Sequence, residues 1–256
     1  MKKLIFPLIV LISPLLTAQE PPSIKSCLEI SVGNNQNKEQ NLHQKVHRGL
    51  VAGLDYSRFR TKTSHSFYAF GLRYSRLKTG YEDVSKTADI QLFGEYAYQY
   101  LVENGEKSQI FMGPALRLQY KVSFYPNWDE SHLYWANGLS LGFRGMFSHR
   151  LSEKRSLALD LAVPVFSVLS RPKAERLNKI DEVSVSGILS SLHTNPEAGT
   201  WNRNFFLHTG LSYLFHLNDH TSQALHFSVS YGRMKAKEGL PAQNLMYSLG
   251  YKFYFK

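Results

Sequence analysis

The chain has 256 residues, a formal net charge of +10, 43% hydrophobic residues and a single cysteine. One cysteine excludes an internal disulfide framework. No apolar run approaches the ~20 residues a spanning helix needs, so a membrane could be crossed only with strands.

Met1 to Ala18 reads as a secretory signal. Lys2 and Lys3 supply the positive start, Leu4 to Ile12 the apolar stretch, and Leu16-Thr17-Ala18 a cleavage site before Gln19. Pro7 and Pro14 interrupt the apolar stretch, which leaves it too short for an anchor. Removing Lys2 and Lys3 lowers the charge to +8 over residues 19–256. That excess of base suits anionic lipid heads or lipopolysaccharide phosphates. Nucleic acid, the other common partner of a basic chain, is not expected behind an export signal. Cys27 lies nine residues past Ala18, too far for lipid attachment at the cut, and reads as a lone buried thiol.

Beyond the signal, bulky and small residues alternate with period two in ten segments: 24–33, 49–60, 66–76, 88–101, 109–124, 133–149, 156–168, 204–217, 223–234 and 244–255. In the third, Tyr68, Phe70, Leu72 and Tyr74 oppose Ala69, Gly71, Arg73 and Ser75. In the seventh, Leu157, Leu159, Leu161, Val163 and Val165 oppose Ala158, Asp160 and Ala162. The first segment alternates most weakly. Connections after even segments are short and carry turn residues, as in Glu103-Asn104-Gly105-Glu106. Those after odd segments are mostly longer: 34–48, 77–87, 125–132, 169–203 and 235–243. Tight turns at one end and long loops at the other are the pattern of an antiparallel up-and-down transmembrane β-barrel. The bulky face is too uniform and aromatic for a narrow core and is turned outward to lipid. The small face, with Gly53, Gly71, Gly113, Gly138, Gly142, Gly210, Gly232 and Gly250, then lines a tight lumen.

Inward charges in a narrow lumen need partners. Counting back from each hairpin levels Asp55 with Arg73, Glu95 with Arg117, and Arg144 with Asp160; at the closing seam Glu29 levels with Lys252. These pairs form either an ion-selective constriction or a plug that fixes register and closes the lumen. The plug is favoured, because a barrel of this size is normally filled by its own side chains.

The connection 169–203 is the longest, and a loop of that length is usually functional or folded. It is a candidate for binding a surface ligand, or for two further staves, which would make twelve. Trp201, Trp135 and Tyr134 suit an interface girdle. Arg76, Lys78, Lys86 and Arg171 fall near the outer rim as candidates for lipopolysaccharide contact.

The last strand is the most specific piece. Ser248-x-Gly250-x-x-Phe253-x-Phe255 resembles the polar-x-Gly-x-x-aromatic-x-aromatic signal read by the barrel-assembly machinery, with Lys256 as a departure after the final aromatic. On this strand the chain from Gln19 to Lys256 resembles the Gram-negative outer-membrane β-barrel proteins. That resemblance implies an outer-membrane location and the assembly machinery as a partner. It names no activity, because the class has many. Two members, the lipid A deacylase and the outer-membrane phospholipase, cleave lipids, and His226-Phe227-Ser228 resembles their His-x-Ser pair. There the pair lies on the lipid-facing wall near the outer leaflet. Here the alternation points His226 and Ser228 to the lumen, near the short turn 218–222, and Glu238 could join only from the far loop. His208, His216 and His226 all point inward and could gather as a metal or pH-sensing cluster, but the spacing lacks a clear fourth ligand. The expectation is a barrel of about ten strands without cofactor or metal, serving a structural, surface-interaction or narrow-pore role. A lipid acyl hydrolase using His226 and Ser228 and a small-solute channel are the alternatives.

Overall fold

The alternation becomes a continuous wall in the computed structural model, which describes residues 23–40, 45–61, 64–80, 86–126, 133–171, 193, 196–218, 220–237 and 239–256. The strands are β1 (Ser23–Glu39), β2 (His47–Thr61), β3 (Ser64–Lys78), β4 (Lys86–Asn104), β5 (Ser108–Phe124), β6 (Leu133–Ser152), β7 (Arg155–Ser170), β8 (Glu197–Gly199), β9 (Asn204–His216), β10 (Thr221–Met234) and β11 (Ala242–Phe255). Ten of them form the wall in chain order, each antiparallel to the next, and β1 pairs with β11 to close it. The eleventh, β8, is three residues long and pairs only with Ser167–Leu169 of β7. Ten staves therefore make the barrel, and among the described residues 169–203 adds a short flap rather than a crossing strand.

Short links (62–63, 105–107, 153–154, 217–220) join strands at the end of the barrel where β1 starts and β11 finishes, with Ser26 facing Phe255 across the seam. The long links gather at the other. Residues 1–18, the expected signal, lie outside the described residues, as do Glu238 and most of 169–203.

Alternation decides the facing. Leu50 is 76% and Phe70 61% exposed on the outer wall, while their strand neighbours Val51 (4%) and Ala69 (6%) are buried. Similar outward apolar rows run along the other staves, through Ile30, Leu92, Leu116, Leu141, Leu159, Leu211, Phe227 and Leu249. A soluble monomer rarely exposes an apolar patch of more than a few hundred Å². A wall apolar all round, on a barrel with no free edge, is the arrangement hydrocarbon selects.

The strands are longer than the alternation suggests. β1 continues past position 33 to Glu39, and β2 begins at His47. The ladder continues there, through Asn34 opposite Leu50 to Asn37 opposite His47. Its outward residues, Asn34, Gln36 and Lys38, are polar. A stave needs about 9–11 residues to cross a bilayer; where the wall rises above the apolar belt nothing selects an outward hydrophobe, and the sequence signal fades.

A second departure changes the facing itself. Leu141 pairs with Phe166 but Gly142 with Pro164, so Val165 is an extra residue on β7. Pro164, which cannot donate to a ladder, suits this bulge. Val165 and Phe166 are consecutive and both exposed, and the inward set shifts from Ala162 and Pro164 to Ser167, Leu169 and Arg171. Arg171, expected on the outer rim, is therefore buried in the upper lumen. Tyr134 and Trp135 are also buried rather than girdle residues, whereas Trp201 is exposed and donates its indole N–H to the Pro164 carbonyl.

Candidate functional site

Each of the ten staves places one ionisable side chain around a common level of the lumen. In wall order they are Glu29, Asp55, Arg73, Glu95, Arg117, Arg144, Asp160, His208, His226 and Lys252. Arg73 bonds Asp55 at 2.9 Å, Arg117 bonds Glu95 at 2.8 Å, and Lys252 lies 3.5 Å from Glu29. Arg144 bridges to Glu95 on one side and to Asp160, at 3.1 Å, on the other. His208 Nε2 is 3.5 Å from Asp160 and His226 Nε2 4.0 Å from Glu29, which carries the ring toward the seam. Glu95–Arg117 and Glu29–Lys252 are directly opposed; Asp55–Arg73 and Arg144–Asp160 are offset by two residues along the ladder.

Aromatic rings fill the space between the arginines. The Phe93 ring lies between Arg73 (4.8 Å) and Arg117 (4.6 Å), Phe206 covers Arg117 at 4.4 Å, and Phe67 faces Arg144 at 4.2 Å. A guanidinium out of water gains both from its carboxylate and from an aromatic face. Glycine makes the remaining room. A Cβ on Gly210 would stand 2.5 Å from both Asp160 Oδ2 and His226 Cε1, and one on Gly71 would stand 2.0 Å from Asp55 Oδ1. Space for water amounts to about 100 Å³ around the ring and about 50 Å³ above it. Together that is room for roughly ten waters.

Above the ring lies a second polar deck. Lys121 pairs with Asp89 at 3.1 Å, Asn37 donates to Asp89 at 3.4 Å, and Asn244 to Asn35 at 2.6 Å. At its top Arg171 pairs with Glu39, donates to the Tyr134 hydroxyl at 2.7 Å, and donates to the Met234 and Leu240 carbonyls at 3.1 and 2.7 Å. One guanidinium thus ties the upper ends of β1, β6, β7 and β10 to the link before β11. Beside it, burial, and next Asp89 and Glu39, hold the Tyr125 hydroxyl protonated well above the usual phenol range.

The histidines do not gather on one centre. His208 Nδ1 meets Ser230 at 2.8 Å, His226 Nδ1 meets Ser212 at 2.9 Å, and His216 meets Ser222 at 3.0 Å and Ser156 at 2.7 Å. Ser228, the sequence partner of His226, bonds Ser248 on β11 at 2.8 Å instead. Ser212, His226 and Glu29 fall in an order reminiscent of a nucleophile, a base and an orienting acid. All three line the lumen, away from the lipid-facing wall.

On the closing strand, Ser248 is spent on Ser228, Gly250 makes way for Glu29, and the rings of Phe253 and Phe255 stack 5.9 Å apart. Cys27 is a free buried thiol. Arg76, Lys78 and Lys86 are exposed on the outer wall, in a surface groove that also takes in Arg48. Hairpin arithmetic did not single out Asp89–Lys121, although the same offset of two across the β4–β5 turn contains it. Phe93 and Phe206 carried no signal, because a lone inward aromatic has none until the arginines beside it are placed.

No protein-family model and no curated protein matches the sequence. Solved structures do. The outer-membrane protease OmpT from Escherichia coli aligns over 95% of this chain and 99% of its own, with a TM-score of 0.57 and 6% identity. Neisserial surface protein A aligns over 91% of this chain and 98% of its own, at a TM-score of 0.37 and 9% identity. The translocator domain of the autotransporter NalP from Neisseria meningitidis covers 90% and 88%, at 0.40 and 7%. At such identities the likeness concerns the fold alone, and only the first score is high enough to carry it. With the wall closed, ten-staved and apolar outside, the chain has the fold of the Gram-negative outer-membrane β-barrel proteins.

Proposed function

We propose that this protein is a resident of the bacterial outer membrane whose barrel is shut by its own ionic ring and serves a structural or surface-interaction role. In this reading residues 1–18 direct export, and the closing strand, through Ser248, Gly250, Phe253 and Phe255, is handed to the barrel-assembly machinery. The barrel then stands as a rigid support for its long loops, with 169–203 as the segment offered to a surface ligand. The observation that carries the reading is the ring. Six carboxylates (Glu29, Glu39, Asp55, Asp89, Glu95, Asp160) and six bases (Arg73, Arg117, Lys121, Arg144, Arg171, Lys252) are paired inside the wall. A conducting lumen leaves charge free for its ion; compensated pairs packed on aromatic rings favour closure. The hydrolase alternative is disfavoured by the separate partners of His226 and Ser228.

Planar-bilayer recording is the test. The purified protein is expected to show no steady conductance, and Arg117→Ala with Glu95→Ala to open a measurable one. Steady ohmic current through the unaltered protein would replace closure with the channel reading.

A further inference from the structure

Just above the apolar belt, the outer wall carries a row of like charges. Arg48 on β2 is directly opposite Lys78 on β3, and Lys78 is directly opposite Lys86 on β4. One step lower on the same face, Arg76 lies between Leu50 and Ala88. All four side chains are exposed. None has an ion-pair or hydrogen-bond partner among the described residues, and the acids of the nearby wall, Glu39 and Asp89, face the lumen and are paired there. Directly opposed like charges destabilise a sheet. Three in a row, uncompensated, mark a place where an anion is expected.

The wall under the row is shaped to receive apolar chain. Val32, Leu50, Ala52 and Tyr74 line a groove of about 640 Å³ that runs down from the cations on the outer face. Ala52 is small between Val32 on one neighbouring strand and Tyr74 on the other, which leaves the depression. Cations at the upper lip and hydrocarbon-facing residues below match one molecule: a membrane lipid with a phosphorylated head and acyl tails.

We propose that Arg48, Arg76, Lys78 and Lys86 bind the phosphorylated headgroup of an outer-leaflet lipid, with an acyl chain along Val32, Leu50, Ala52 and Tyr74. This rests on the outer-membrane reading. Each phosphate oxygen would accept from guanidinium or ammonium donors on neighbouring strands. The repulsion along the row becomes a lipid-specific attraction.

The experiment uses the mature chain refolded in neutral detergent micelles, titrated with bisphosphorylated lipid A, with the same lipid lacking its phosphates, and with phosphatidylglycerol. The bisphosphorylated lipid is expected to bind tightest and to raise the melting temperature. Arg48→Gln/Lys78→Gln/Lys86→Gln should weaken that binding by about fivefold per cation. In lipid-free micelles the same variant should be at least as stable as the wild type, because it loses only repulsion. Lys235→Gln/Lys237→Gln, at the opposite side of the mouth, should leave binding unchanged. Equal binding of the lipid lacking phosphates, or unchanged binding by the triple variant, overturns the proposal. So does a loss of stability in lipid-free micelles on Glu82→Gln/Asp83→Asn, two acids in the link 81–85, since the row would then be paired within the chain. Failure of the outer-membrane reading looks different: the wild type would enter no bilayer, whatever its phosphate content.

Discussion

The lumen and the outer rim of β2 to β4 hold the same kinds of cation and treat them oppositely. Inside, every arginine of the ring has a carboxylate and an aromatic face; outside, Arg48, Lys78 and Lys86 stand side by side with no acid partner among the described residues. In the outer-membrane reading proposed above, the cause is the medium each side meets. A charge enclosed by protein costs several kcal/mol unless paired, so the chain supplies its own partner. A charge at a membrane–water boundary costs little, and an anionic lipid head can supply the partner. The pairing state of a cation thus tells which side of the wall it serves.

The comparison breaks most severely at Glu95, which serves two buried arginines. Glu95→Leu should cost about 3–5 kcal/mol and abolish the heat-resistant folded band seen in gel mobility, whereas Glu103→Leu at the exposed short-turn end should not. On the outer wall Leu211→Arg should cost about 2–4 kcal/mol at the bilayer midplane, measured by urea unfolding in vesicles. Ser212→Arg on the inner face should also destabilise, because Ser212 is buried against His226 at 2.9 Å. At the upper deck Arg171→Ala should cost about 2–3 kcal/mol by removing the buried ion pair with Glu39 and the donors to two carbonyls. Faster proteolysis of 235–241 with an intact barrel band would report it. The smallest effect belongs to the rim: Lys78→Gln should shift stability in neutral micelles by less than about 0.5 kcal/mol, toward greater stability. A destabilisation as large as that of Arg171→Ala would erase the distinction between the two regions.

The same contrast explains what could be read without coordinates. Where the outer face is apolar, its exposed hydrophobes write a period of two, and the staves and their inward charges follow by counting from each turn. Glu95–Arg117 and Glu29–Lys252 come directly from that count. Above the belt the outward residues Asn34, Gln36 and Lys38 carry no such mark, and the upper third of β1 is invisible to it. The bulge at Val165 adds one residue, and one residue is enough to turn Arg171 from the rim into the mouth of the lumen. His226 found Ser212 across the ladder instead of Ser228 along the strand, because two inward residues of one strand sit ~7 Å apart, whereas cross-strand neighbours approach to about 5 Å.

Spin labels placed one at a time on the wall in a Cys27→Ser background test the facing of these residues most directly. The account predicts that labels at Leu50, Leu72, Leu118 and Leu211 in vesicles collide with oxygen and are shielded from a water-soluble nickel complex, while labels at Ser31 and Gln91 collide with neither. Nickel access at the four leucines, or oxygen-rich signals at the two inner sites, would contradict it.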